Sequence, residues 1–348
     1  MFLKFNWLKI IFCLALAIII SGMIGFGYYF QKKYFDEMKD ELLNNFFAPS
    51  LELEAQIIAN KLEARINNII AILKTAAKYQ NLQDISSVCR PDQSTTIDGL
   101  AVALKDEVDI TVLIDKKGIV ICASLEAMKG KNISSYPHIQ EALASHKAVI
   151  GRAVVNPLGI KLIPIVVPIF SANGEFAGLV GGAIMIENLE KEFAPNNSLT
   201  PSAYSVLMDD DGTTLYHHNQ NYIMKNVFGE EIQQVIGRDQ NINNLWKRAL
   251  QGESGYEFYT FKGDDKVAGF APAKIIDGQR FLTIISTAKT KEYWLAADQV
   301  LMKIQLLNLV VMFGGILLAC LVSYQLQCLR ERERVKMSAK FTSAPNEH

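Results

Sequence analysis

Five histidines, at positions 138, 146, 217, 218 and 348, are the side chains of this sequence best suited to proton transfer or metal binding, and their spacing serves neither. No H-E-x-x-H, G-x-S-x-G, Walker or C-x-x-C motif accompanies them, so the sequence predicts no enzyme, no metal centre and no cofactor. His217 and His218 are neighbours, and on a strand neighbouring rings point to opposite faces rather than at one ion. Asp209-Asp210-Asp211-Gly212 has the acidic start of a calcium loop without the glutamate that completes one, and a solvated hairpin is the better account. With 35 Lys and Arg against 36 Asp and Glu, the chain also lacks the basic excess that a nucleic-acid partner requires.

Whatever these residues do is done in a body framed by two apolar segments. Residues 10–30 carry no charge and, at 1.5 Å per residue, are long enough to cross a hydrocarbon core of about 30 Å. Lys4 and Lys9 precede them, and Trp7, Tyr28, Tyr29 and Tyr34 stand where an interfacial belt lies. The run exceeds the length of a cleaved signal. A second uncharged run, residues 304–324, is followed by Arg330, Arg332, Arg334, Lys336 and Lys340, which mark a cytoplasmic flank. Its Asn308 suits a helix–helix hydrogen bond. The prediction is a two-pass protein of the inner membrane, with tails 1–9 and 325–348 inside and residues 31–303 extracytoplasmic, or periplasmic. Cys89 and Cys122 are the only cysteines of that exterior part. A disulfide between them is permitted there, and a buried thiol at Cys122 is the alternative.

Residues 31–83 read as a long stalk helix, with a kink or restart at Pro49. Ile58, Leu62, Ile66, Ile69 and Leu73 fall on one face, as a dimer seam or as the cover of a sheet. Beyond it one pattern occurs twice. Val112-Leu113-Ile114-Asp115-Lys116-Lys117-Gly118 matches Val206-Leu207-Met208-Asp209-Asp210-Asp211-Gly212, an apolar strand ending in an Asp–Gly turn. Glu141-Ala142-Leu143 corresponds to Arg248-Ala249-Leu250, and Pro168 with Gly174 corresponds to Pro272 with Gly278. Strand, hairpin, helix and hairpin in the same order predict an α+β fold of two tandem modules with antiparallel sheets, residues 84–195 and 196–290. A connecting helix, residues 291–303, leads to the second span.

Together with N-I-S-S-Y-P-H-I-Q-E-A-L, V-V-P-I-F-x-x-x-G-E-F-A-G-L-V-G-G and V-L-M-D-x-D-G-x-x-x-Y-H-H, this order resembles the double Cache (dCache, PAS-like) domain of bacterial transmembrane sensors, over residues 31–303. The resemblance implies a membrane-distal module (84–195) that binds a small molecule around residues 132–140, and a membrane-proximal module (196–290). Amino-acid-binding members carry Arg-x-Trp-Tyr before the helix, Tyr and Asp on the next strand, and Asp after the Gly-Gly turn. Here Tyr136-Pro137-His138-Ile139, Ala153 and Val155, and Gly182-Ala183 stand in those places, which argues against an amino acid. Tyr136 and His138 are the expected ligand contacts, then Arg152 and Asn156, with Lys161 weaker; a surface or hairpin role is the alternative for each. The function implied is that of a sensor subunit, homodimeric by family expectation. It would signal through its membrane helices to a separate cytoplasmic protein or to a missing output module, since only a short basic tail follows the second span. The competing reading is a non-switching, membrane-anchored solute-binding or scaffold subunit of a transporter or receptor complex.

Overall fold

The computed structural model describes residues 7–79, 95–189, 200–275 and 280–342. Helix α1 (Trp7–Leu42) takes in residues 10–30, ten of whose side chains lie outside the described ones. A π-helical turn, Leu43–Phe47, follows, and α2 (Ala48–Ala76) starts with Pro49 in its first turn. Proline lacks an N–H and crowds the carbonyl four residues back, so the widened turn before it lets the helix restart without a loop. On α2, residues Leu51, Ala55, Ala59, Leu62, Ile66, Ile69 and Leu73 recur every three or four positions, and each is at most 1% exposed. The apolar stripe is therefore the cover of the sheets, not a seam left for a second copy.

After α3 (Thr95–Ala103) comes the first sheet, made of β1 (Ile110–Asp115), β2 (Val120–Ala123), β3 (Val149–Ile150), β4 (Val154–Val155), β5 (Lys161–Phe170) and β6 (Phe176–Met185). Helix α4 (Pro137–Ser145) is inserted between β2 and β3. The second sheet has β7 (Tyr204–Met208), β8 (Thr214–Tyr216), β9 (Gly255–Phe261), β10 (Asp264–Ile275) and β11 (Arg280–Lys289), with α5 (Glu230–Val235) and α6 (Gln240–Leu250) between β8 and β9. The first runs β2-β1-β6-β5-β3, with β4 also on β5, and the second runs β8-β7-β11-β10-β9. All pairings are antiparallel.

The duplication extends to local irregularities. The β1–β2 ladder slips between Leu113 and Ile114, and the β7–β8 ladder slips between Leu207 and Met208, the matching residues. Gly118 and Gly212 have φ of 79° and 85°, a left-handed conformation that favours glycine, and each donates its N–H to the Asp carbonyl that opens the turn. Lone bridges Ile119–Asn132 and Thr213–Asn226 repeat the match.

One apolar core joins the modules. It contains the α2 stripe from Ala55 to Leu73, Ile163, Ile165, Val180 and Ile184 from the first sheet, and Leu207, Ala271, Ala273 and Ile284 from the second. The helix lies against Gly269 of β10, where an added Cβ would overlap the backbone of Leu51 and Glu52.

Strand β11 leads directly into α7 (Thr290–Thr342), one helix across the predicted connector, second span and most of the tail. Among the described residues, one stretch is long and apolar enough to cross a membrane, Met302–Val322. Lys39 of α1 forms an ion pair with Asp298 of α7, and its ammonium lies 4.9 Å from the Phe35 ring centre. Cys122 is disulfide-bonded, Cys320 and Cys328 are free, and Cys89 lies outside the described residues.

Candidate functional site

The loop before α4 is shaped by short-range chemistry. Asn132 accepts a hydrogen bond from the Ser134 N–H at 2.9 Å, and Pro137 in the first helical turn biases Tyr136 toward its extended conformation, with φ −73° and ψ 135°. Helix α4 buries His138, Ile139 and Ala142 against the sheet. Gly151 makes room for this, since a Cβ there would lie 2.7 Å from the His138 side chain and 2.6 Å from Pro164.

Tyr136, His138 and Asn156 come together at a cavity of about 50 Å³, whose other walls include Ile110, Met128 and Gly182. The half-buried Tyr136 donates its hydroxyl to the Val155 carbonyl at 2.8 Å. The Oδ1 of Asn156 accepts from the N–H groups of Leu158 and Ile160, both at 2.9 Å, so the side chain also holds the β4–β5 turn. His138 is 7% exposed and has no hydrogen-bond partner among the described residues. Burial pushes its imidazole down to about 4, so at neutral pH the ring is uncharged, with one donor and one acceptor nitrogen.

Arg152 is not in this cavity. Its guanidinium reaches across to the second module, with Nε 3.0 Å from Asp210 and Nη1 3.8 Å from Asp211. The neighbouring Ala153 N–H donates to Asp209 at 3.2 Å. The three aspartates are thus an inter-module clasp rather than only a solvated turn, as the sequence suggested. Arg152 and His138 both border the open cleft between the modules, so His138 separates cavity from cleft. Lys161, at the start of β5, is exposed. Because Arg152 is solvent-exposed, Arg152→Ala is expected to lower unfolding free energy by less than about 1 kcal/mol; urea titration of the whole chain checks it.

A larger cavity, about 240 Å³, lies in the second module between the sheet and helices α5 and α6. His217 and His218 both line it, contrary to the alternation expected of a strand, because β8 ends at Tyr216. The Nδ1 of His217 accepts from the Asn219 N–H at 2.8 Å. Its ring lies 4.3 Å from that of His218, which is 4.0 Å from the Tyr204 ring. Burial pushes His217 down to about 3, with His218 and Lys266 adding to the effect. The sequence signal for this cavity was the duplication itself, which places an equivalent pocket in each module.

Two repeats of one antiparallel sheet, each roofed by helices over a cavity and both resting on one long helix, define a tandem PAS-like ligand-binding body. Residues 44–297 match the family model dCache_1, described as a Cache domain, and the chain belongs to that family. No curated protein matches the chain. Among solved structures, the periplasmic sensory domain of the Campylobacter jejuni chemoreceptor Tlp1 is similar at TM-score 0.56 and 18% identity, over 73% of this chain and 98% of that one. The ligand-binding domain of the Pseudomonas fluorescens chemoreceptor CtaA, in complex with L-isoleucine, is similar at TM-score 0.55 and 17% identity, over 73% and 97%. An extracellular ligand-binding receptor from Desulfohalobium retbaense matches at TM-score 0.54 and 18% identity; 70% of this chain is covered but only 40% of that one.

Proposed function

We propose that this chain is a membrane-anchored sensor subunit that binds a small molecule in the first, membrane-distal module on the extracytoplasmic side. The observation that carries the reading is His138, a neutral imidazole without a hydrogen-bond partner among the described residues, which closes an apolar cavity and borders the inter-module cleft. Tyr136 and Asn156 complete the polar contacts, and Arg152 acts from outside as part of the clasp. Among the described residues the cavity lining holds no carboxylate, lysine or arginine, and so none of the paired charges that grip a zwitterion. The L-isoleucine of the Pseudomonas domain is therefore a poor guide to this ligand, and a small molecule with a single hydrogen-bonding group fits better.

In this form the cavity holds about 50 Å³, so a ligand of more than a few atoms must displace α4 from the sheet. That displacement reaches the clasp at Arg152 and the core that α2 shares with both sheets. Ligand biases two arrangements of the body by its different affinity for them, and the helices carry the difference to a separate signalling protein. A homodimer is the working assembly.

Thermal-shift screening of the whole chain in detergent, against neutral small molecules, organic acids, amines and purines, tests this. A ligand at a hundred times its Kd is expected to add about 2.7 kcal/mol of stability, and His138→Ala to remove that gain. A folded chain stabilised by no compound sinks the sensor reading. Stabilisation that survives His138→Ala places the site elsewhere.

A further inference from the structure

We propose that the second module carries its own ligand site, for a small organic anion with an apolar or single-ring body, and that Lys266 is the anion's partner. The cavity has an apolar floor, including Met208, Leu245 and Ile285, and a polar end where Tyr204, His218 and Lys266 meet. Lys266 is 8% exposed. Its ammonium lies 5.2 Å from the ring centres of Tyr204 and Phe261, and among the described residues it has neither an ion pair nor a hydrogen bond. Asp264, two residues before it on the same strand, is engaged by Lys289 at 2.8 Å and by Lys291.

A cation with little access to water and no partner among the described residues is costly, and ring faces return only about 0.5–2 kcal/mol of that cost. A carboxylate entering the cavity supplies the missing partner. A cationic ligand would meet the ammonium head-on, which excludes amines. Burial and the neighbouring Lys289 lower the Lys266 pKa, against Asp264 and Glu292, as an underpartnered ammonium should show. Tyr204, whose phenol burial holds up near about 12, stays protonated and available as a donor.

The first module is an internal control. Its β5–β6 hairpin pairs in the same register as β10–β11: Pro168 faces Leu179 as Pro272 faces Thr283, and Leu162 faces Met185 as Lys266 faces Lys289. Lys266 therefore occupies the place of Leu162, Tyr204 that of Ile110, and Thr287 that of Ala183. In the first module these three residues form a purely apolar cluster. The fold is satisfied by carbon at these positions, so the lysine, tyrosine and threonine of the second module are additions that folding does not require.

The test is calorimetric titration of the whole chain in detergent with phenylacetate, 3-phenylpropionate and isovalerate, beside phenylacetamide and phenethylamine. Saturable binding of at least one carboxylate is expected, with phenylacetamide at least tenfold weaker than phenylacetate and no binding of phenethylamine. Lys266→Met is expected to weaken the carboxylate at least tenfold while leaving the ligand-free melting temperature unchanged or higher. His138→Ala should leave carboxylate affinity unchanged, which separates this site from the first-module one. No carboxylate binding, equal affinity for acid and amide, or affinity in a folded Lys266→Met chain within twofold of the original overturns the proposal. So does carboxylate binding lost in His138→Ala but kept in Lys266→Met. The acid–amide comparison uses the unaltered chain and decides the matter even where a variant fails to fold.

Discussion

Gly269→Ala is expected to destabilise the body by about 3 kcal/mol or more, at the upper end of the usual cost of overpacking, because the new methyl meets main chain rather than a side chain that can turn away. Strand β10 is central in its sheet, paired with β9 through Gly269–Tyr256 and with β11 through Gly269–Ser286, so it cannot recede without breaking a ladder. On the other side the obstruction is the backbone of Leu51 and Glu52 in α2, anchored by neighbouring Leu51 and Ala55, both fully buried. For a body of this size, each kcal/mol lowers the melting temperature by roughly 2–4 °C, so a fall of about 6–12 °C is expected by circular dichroism. A loss below about 1 kcal/mol would mean that α2 does not lie on β10 as described.

Acidification from pH 7 to pH 5 is expected to cost about 4 kcal/mol of stability, through two histidines that the fold keeps neutral. His138 is held down to about 4 and His217 to about 3, both chiefly by burial, whereas an unfolded chain titrates its histidines near 6.5. Between those limits the unfolded state binds more protons, so stability falls as pH falls below about 6.5, by about 2 kcal/mol per histidine over this interval. His218 is shifted in the same direction by burial and by Lys266. Asp264, held down to about 2 by hydrogen bonds from Lys289 and Lys291, acts with the carboxylate sign at far lower pH and stays out of this window. Urea titrations at both pH values measure the slope, and His138→Asn with His217→Asn should remove most of it. An equal slope in the double variant would show that other groups carry the effect.

The sequence stated the architecture by repetition. An Asp–Gly turn after a V-L-hydrophobic strand, used twice, is a local signal, because turn geometry depends on a few adjacent dihedral angles, and the structure repeats it down to the slipped register at Leu113 and Leu207. The α2 stripe was equally legible as a stripe, but not its destination, since a seam between copies and a cover for a sheet have the same period. Tyr136, His138 and Asn156 converge because they are close along the chain or across one hairpin. Arg152 was legible only as a cation; its partners, Asp210 and Asp211, belong to the other module.

His217 and His218 were misread because alternation was extended two residues past the end of β8. The β7–β8 ladder stops at the Leu207–Tyr216 pair although β7 itself runs on to Tyr204, and where a ladder stops is a property of the sheet. Lys266 gave no signal, since a lysine in an alternating strand looks like any solvated one until the rings of Tyr204 and Phe261 close over it. By itself the sequence determined the duplicated α+β modules, the long covering helix and the apolar segments, all of which rest on periodicities within a few turns of chain. Tertiary structure alone decided which polar groups are left buried without partners, because burial and pairing depend on distances between residues far apart in the chain.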